Sequence, residues 1–312
     1  MKTIPAFFRL IRWPNLLFIG LTQVLFEYSI FEKVYGNTVM YEGEKRQFFF
    51  IVIASILIAA AGYIINDYFD LNIDQVNKPE KVVVNQFINR RWVIFWHMFL
   101  SLLGFFFTVL ALPMGQYWHI VLANLGSIIL LWFYSTNLKK QLLIGNIVIS
   151  LLTAWVIVIL YFSKYPLQMN NLLTIDHNEI RLFRFMIVYA CFAFVISLIR
   201  EVIKDMEDVD GDRKYGCRTM PIVWGVNASK VFVAVWLIVL IAALVILQLY
   251  VVPFGWWYSI LYCILLIIMP LLWILVKLFS ARTPKDFHTL STVVKLVMFT
   301  GILSMIFFRI YA

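Results

Sequence analysis

Long apolar runs recur along this chain, and they constrain it more than any other feature. There are nine, at about 13–31, 48–68, 92–112, 117–135, 142–163, 183–204, 228–250, 256–279 and 293–311. A helix needs about 20 apolar residues to cross the hydrocarbon core of a bilayer. The runs predict an all-α polytopic membrane protein with nine transmembrane helices, folded as a single domain over residues 1–312. Composition agrees, with 63% of residues hydrophobic and 14% charged. A soluble domain carries about a quarter charged residues, and a chain this apolar cannot cover its surface with polar groups in water.

The formal charge of +9 does not point to nucleic acid, because the 26 Lys and Arg sit in short connections between apolar runs. Cys191, Cys217 and Cys263 are far apart and form no CxxC pair, so neither a disulfide framework nor a zinc site is expected. The first run follows Lys2, Arg9 and Arg12 without a small-residue cleavage site, and reads as a retained span. The connections around Pro113-Met114-Gly115-Gln116 and Pro253-Phe254-Gly255 are short enough to make helical hairpins. With the N-terminus inside, the cytoplasmic side collects 19 Lys and Arg and the other side 7. The positive-inside rule then predicts a cytoplasmic N-terminus, an external C-terminus, and a cytoplasmic position for the loops after the second and sixth runs.

Those two loops hold most of the acid. Seven of the nine aspartates lie in Asn66-Asp67-Tyr68-Phe69-Asp70-Leu71-Asn72-Ile73-Asp74 and Asp205-Met206-Glu207-Asp208-Val209-Asp210-Gly211-Asp212. Asp67, Asp70 and Asp74 stand at i, i+3 and i+7, as do Asp205, Asp208 and Asp212. On a helix these offsets make one carboxylate stripe. Like charges at that spacing repel, so two such stripes call for a cation between them. Glu207 and Asp210 lie off the stripe and are expected to be solvated.

Mg²⁺ suits this arrangement, being held by one or two carboxylates together with substrate phosphates. Cations that could neutralise phosphate oxygens sit around both motifs and in the loop between the fourth and fifth runs: Lys78, Lys81, Lys139, Lys140, Arg200, Lys204, Arg213, Lys214 and Arg218. The two stripes and these cations together describe a diphosphate site.

At these residues the chain resembles the UbiA-type intramembrane prenyltransferases. Asn66 to Asp74 reads NDYFDLNID and is followed by Asn77-Lys78-Pro79, while Lys204 to Pro221 reads KDMEDVDGDRKYGCRTMP. Tyr134-Ser135-Thr136-Asn137-Leu138-Lys139 with Gly145-Asn146, and Arg12-Trp13-Pro14-Asn15, are similar to two further elements of that family. The resemblance covers about residues 9–225. It implies nine helices around a lipid-facing cavity and Mg²⁺-dependent transfer of an isoprenyl group from an allylic diphosphate, geranylgeranyl diphosphate favoured, to a lipophilic acceptor. By the same resemblance Asn66, Asp67, Asp70 and Asp74 make one Mg²⁺–diphosphate contact and Asp205, Asp208 and Asp212 another. Tyr134, Lys139, Arg200 and Lys204 bind the diphosphate, and Asn15 lines the cavity.

Mg²⁺ and the basic side chains stabilise charge building on the leaving diphosphate, and the allylic cation needs dry apolar walls and aromatic faces. Tyr63, Tyr68, Phe69, Trp132 and Phe133 lie close to the motifs. The second motif resembles the branch containing the geranylgeranylglycerol-phosphate, chlorophyll and homogentisate prenyltransferases. The first departs from it, reading NKPEKVVVNQ, with Lys78 and Lys81 in place of two arginines. The acceptor expected is of the geranylgeranylglycerol phosphate type, the alternative an aromatic quinone precursor; Arg213, Lys214, Arg218, Arg282 and Lys285 are the surplus cations available to a phosphorylated one. A cation-coupled transporter is the rival outside this class, but its site would lie near the midplane on broken helices. CDP-alcohol phosphotransferases fit poorly, since there is no DGxxAR and the two clusters stand 138 residues apart. Membrane lipid is the expected surrounding, with no nucleic acid and no obligatory protein partner. The scattered His97, His119, His177 and His288 suggest no ligand set, segment 164–182 reads as a polar outer loop, and the last three runs read as bundle wall.

Overall fold

A computed structural model describes residues 3–36, 42–165 and 177–311. A short helix, Thr3–Leu10, meets the first span, Trp13–Val34, at 56°. Arg12 stands at the bend with φ 51°, in the left-handed region, and Pro14 pre-sets the first turn that follows. The later spans are Glu42–Asn77, Arg90–Ala111, Met114–Thr136, Ile144–Lys164 and His177–Glu207, the second to sixth. Val226–Val251, Trp257–Ser280 and Pro284–Tyr311 are the seventh to ninth. Among the described residues eight helices are long and apolar enough to cross a membrane, nine with the bent first pair counted as one. The nine-span expectation therefore holds. Of the predicted outer loop 164–182, residues 166–176 lie outside the described residues, and the sixth span begins at His177.

Hydropathy stops reading a helix where its first aspartates begin, and the second span accordingly runs past the expected end at about 68 to Asn77. Leu71 and Ile73 are still buried there, so packing carries the helix onward after the membrane signal has ended. Beyond it, Val82, Val83 and Val84 turn back and bury themselves against the first three spans.

Apolar burial cannot drive one helix onto another in lipid, so close packing must. A Cβ on Gly104 of the third span would stand 2.8 Å from Ile58 Cγ1, and one on Gly62 of the second 2.9 Å from Leu131 Cδ1. Both glycines bring neighbouring helices into direct contact. Three apolar clusters result. One joins spans six to nine, one ties the first six spans together around Phe26, Ile51, Leu160 and Met186, and one packs the first three near the first aspartate motif. Large apolar side chains such as Val276 and Leu102 cover the outside, as a lipid-facing surface requires. Several polar groups within the bundle pair with one another: Gln23 donates to Ser55 Oγ and to the Val156 carbonyl, and Trp155 donates to Asn124, which donates to Thr108.

Candidate active site

The first motif lies wholly on helix, so Asn66, Asp67, Asp70 and Asp74 share one face as their spacing predicts. Cations from other elements meet this face. Arg12, thrown inward at the bend, puts Nη2 2.7 Å from Asp67 Oδ1, with its guanidinium 5.2 Å from the Tyr63 ring centroid. Lys139 Nζ lies 2.5 Å from Asp70 Oδ1 and donates to Asn66 Oδ1 at 3.1 Å, and Asn66 in turn donates to Asp70 Oδ2 at 2.8 Å. Lys139 stands on a 3₁₀ turn, Leu138–Lys140, between the fourth and fifth spans. Gly145 lets that turn sit down on the fifth span, since a Cβ there would lie 2.7 Å from Lys139 Cα.

The second motif is not one helix, contrary to its spacing. Asp205 closes the sixth span, Asp208 leaves helical geometry at φ −100° and ψ 10°, and Asp212 sits on a new helix, Val209–Lys214. Bonds from Asp208 N to Lys204 O (2.9 Å) and Asp212 N to Asp208 O (3.1 Å) carry the register across the break, and all three aspartates still line one cavity. Asp205 accepts a hydrogen bond from Asn146 Nδ2 at 2.8 Å. Lys78 Nζ reaches both Asp208 (2.8 Å) and Glu207 (3.0 Å). Glu207 is thus buried and paired rather than solvated, and His288 Nδ1 lies 2.9 Å from it. Asp210 is exposed, as expected. Asn77, the last residue of the second span, ties the two motifs together by accepting from Gly211 N at 2.9 Å and donating to Asp208 O at 3.1 Å.

One cavity of 1180 Å³ takes in all of this and runs between spans one, two, four, five, six and nine. Its polar end carries Asn15, Tyr134, Lys140, Arg200 and Lys204 as well as the stripes, and Phe18, Ile58, Leu131 and Val156 line it further along. Arg200 and Lys204 turn to Glu201, at 3.0 and 3.3 Å, rather than to an aspartate. Arg213, Lys214, Arg218, Arg282 and Lys285 are exposed and do not line the cavity, and the Lys81 side chain lies outside the described residues. Glu201 and Lys295 reach the cavity unforeseen. Lys295 also corrects the reading of the ninth span as plain wall, whereas spans seven and eight contribute nothing to the lining.

The side-chain carboxylates of Asp74 and Asp212 make no hydrogen bond or ion pair with any other described residue. Burial first, then repulsion from Asp208 and Asp70, pushes the Asp212 carboxyl up to about 7. Burial also raises Asp208 above the usual carboxylate range although Lys78 opposes it. Lys78 in turn is held above the ordinary lysine range by Asp208 and Glu207, which outweigh its burial. Among the described residues no three carboxylates close on a single metal position. The donors are hard oxygens split between two facing helix ends and only partly neutralised by lysine. That set fits Mg²⁺ carried in with phosphate oxygens, and does not make a complete protein cage.

The pattern of the UbiA prenyltransferase family matches residues 38–302. The digeranylgeranylglyceryl phosphate synthase of Methanothermobacter thermautotrophicus is 34% identical over 198 residues, which is 61% of this chain and 62% of that protein. The synthase of the same name from Pyrococcus horikoshii is 29% identical over 74% of this chain and 73% of its own. A UbiA homolog from Archaeoglobus fulgidus, solved bound to DMAPP and Mg²⁺, superposes with a TM-score of 0.55 at 16% identity, covering 96% of this chain and 99% of its own. A match to the family pattern over most of the chain, together with a shared fold, places this membrane protein in the UbiA prenyltransferase family.

Proposed function

We propose that the chain transfers a geranylgeranyl group from geranylgeranyl diphosphate to a geranylgeranylglyceryl phosphate acceptor, with Mg²⁺ as cofactor. One observation carries this reading. Two carboxylate stripes, stitched together by Asn77, share the polar end of a cavity whose far part is apolar. The names of the relatives support the acceptor, and the ligands of the Archaeoglobus homolog support the donor and the metal.

Asp67, Asp70 and Asp74 on one side and Asp205, Asp208 and Asp212 on the other are the residues to hold the metal. When bound, Mg²⁺ supplies positive charge against the departing diphosphate. Lys139, Lys140 and Lys78 supply the rest of that charge, and Asn66 and Asn146 hold Asp70 and Asp205 in position. Tyr134 and the apolar lining beyond it exclude water from the allylic carbon. Asn77 keeps the two stripes at a fixed separation, so residues 1–312 act as one catalytic unit. The bias of Lys and Arg toward one set of loops supports an orientation with the N-terminus and both motifs cytoplasmic and the C-terminus outside.

Asp70→Ala and Asp208→Ala test the assignment. Each is expected to abolish turnover and the Mg²⁺-dependent thermal stabilisation by geranylgeranyl diphosphate, while the protein stays folded in detergent. Turnover near wild type in both variants would remove the metal site from these residues.

A further inference from the structure

We propose that the cavity wall formed by spans one, six and nine is a separate site for a phosphate monoester, the headgroup of the acceptor, centred on Lys295 with Arg200 and Lys204. This rests on the acceptor reading above and assigns the residues that recognise it. Arg200 and Lys204, which the family resemblance gives to the diphosphate, belong on this view to the acceptor.

Lys295 stands within the ninth span and lines the cavity beside Phe18 and Met298, and an ionisable side chain inside a span is a costly placement that marks function by default. Its Nζ donates to Asn15 Oδ1 at 2.8 Å and lies 5.3 Å from the Phe18 ring centroid. Among the described residues no carboxylate stands within ion-pair distance of it. The charges that act on it are instead those of Arg200, Arg12 and Lys204, all of its own sign. Of these, Arg12 is matched by Asp67, while Arg200 and Lys204 share the one carboxylate of Glu201. Four cations face two carboxylates, and two positive charges are left over. The buried Arg200 Nε also has no hydrogen-bond partner.

A phosphate monoester brings a charge of about −1.5 to −2 at pH 7 and three acceptor oxygens, which matches that surplus. The other side of the cavity has the opposite imbalance. Asp70, Asp74, Asp205, Asp208, Asp212 and Glu207 there outnumber Lys78, Lys139 and Lys140. The carboxylate side suits an anion that arrives with a divalent metal, and the Lys295 side an anion that arrives without one. Donor and acceptor therefore need not compete for the same cations. Met298, one turn along from Lys295, and Phe18 line the adjoining cavity, giving the attached alkyl chain an apolar path.

The test uses dodecyl phosphate in EDTA with no donor present, and dodecanol as the uncharged control. Dodecyl phosphate is expected to raise the melting temperature of the wild type where dodecanol does not. The rise should vanish in Lys295→Met and in Arg200→Gln, survive in Lys295→Arg, and survive in Asp208→Asn. In turnover, Lys295→Met should raise KM for geranylgeranylglyceryl phosphate at least tenfold, with KM for geranylgeranyl diphosphate within twofold. An undiminished rise in both Lys295→Met and Arg200→Gln, or a KM effect confined to the donor, would overturn the site. A Lys295-dependent rise in a protein that never uses the glyceryl phosphate acceptor would instead overturn the acceptor reading and leave the phosphate site standing.

Discussion

Gly211 is where a single methyl group should separate the two motifs. A Cβ there would lie 2.3 Å from Asn77 Oδ1 and 2.5 Å from its Cγ and Nδ2, against about 3.5–4.0 Å for relaxed non-bonded contact. The Asn77 amide must then move by more than 1 Å. That breaks its bonds to Gly211 N and Asp208 O, worth about 0.5–1.5 kcal/mol each, so Gly211→Ala should cost about 1–3 kcal/mol of stability. Displacement on that scale can cost about 100-fold in rate, so turnover should fall further than the melting temperature implies. Asn77→Ala alone loses the same two bonds. Gly211 is helical and not in the left-handed region, and the three nearest atoms to its Cβ all belong to the Asn77 amide, so removing that amide relieves the closest contacts and alanine gains about 1 kcal/mol of helix propensity. Gly211→Ala should therefore be harmful in the wild type and neutral or favourable in Asn77→Ala. Thermal unfolding and Mg²⁺-dependent turnover of the four proteins read out the cycle. Equal losses in both backgrounds would show that something other than Asn77 demands the glycine.

Two further outcomes follow from the charges. Asp212 titrates near 7 when folded but near 3.9 when unfolded. A raised carboxyl favours folding at low pH, and its contribution is lost as pH rises through about 4 to 7. Without metal the melting temperature should therefore be higher at pH 5.5 than at pH 8, with the stabilisation by Mg²⁺ and donor larger at pH 8; a metal effect independent of pH would refute it. At the other end of the first span, buried Glu27 pairs with Lys164 at 2.8 Å. Glu27→Leu should cost about 3–5 kcal/mol by leaving a buried ammonium unpaired, and Glu27→Leu with Lys164→Leu much less, as unfolding titrations would show.

Hydropathy suffices to read the nine spans and spacing to pick out both carboxylate stripes, while the cavity they share is what the family resemblance implies. The split of the second stripe is harder to foresee, because a helix break at Asp208 that keeps the hydrogen-bonded register leaves the i, i+3, i+7 spacing untouched. The burial of Glu207 depends on Lys78 and His288, which come from elsewhere in the chain, so local position alone makes it look like a solvated acid. Arg12 shows in sequence as the first residue of the family-like element Arg12-Trp13-Pro14-Asn15; its inward turn comes from a left-handed backbone with no glycine to signal it. Lys295 did leave a signal. A charge inside an apolar run is uncommon, although Arg309 shares this run and the companions Asn15 and Arg200 lie on other spans.

The pairs Arg12–Asp67, Lys139–Asp70 and Lys78–Asp208 change what filling the donor site involves. Each carboxylate already holds a provisional counter-ion borrowed from another element. On the proposed assignment, metal and diphosphate arriving together would exchange partners with these pairs, with Asp67, Asp70 and Asp208 available to the metal and Arg12, Lys139 and Lys78 to the phosphate oxygens. The interior charge changes little in such a swap, whereas either ion alone would have to displace a pair and leave one member stranded in a low dielectric. On that assignment, the site would therefore favour the complex over its separate components.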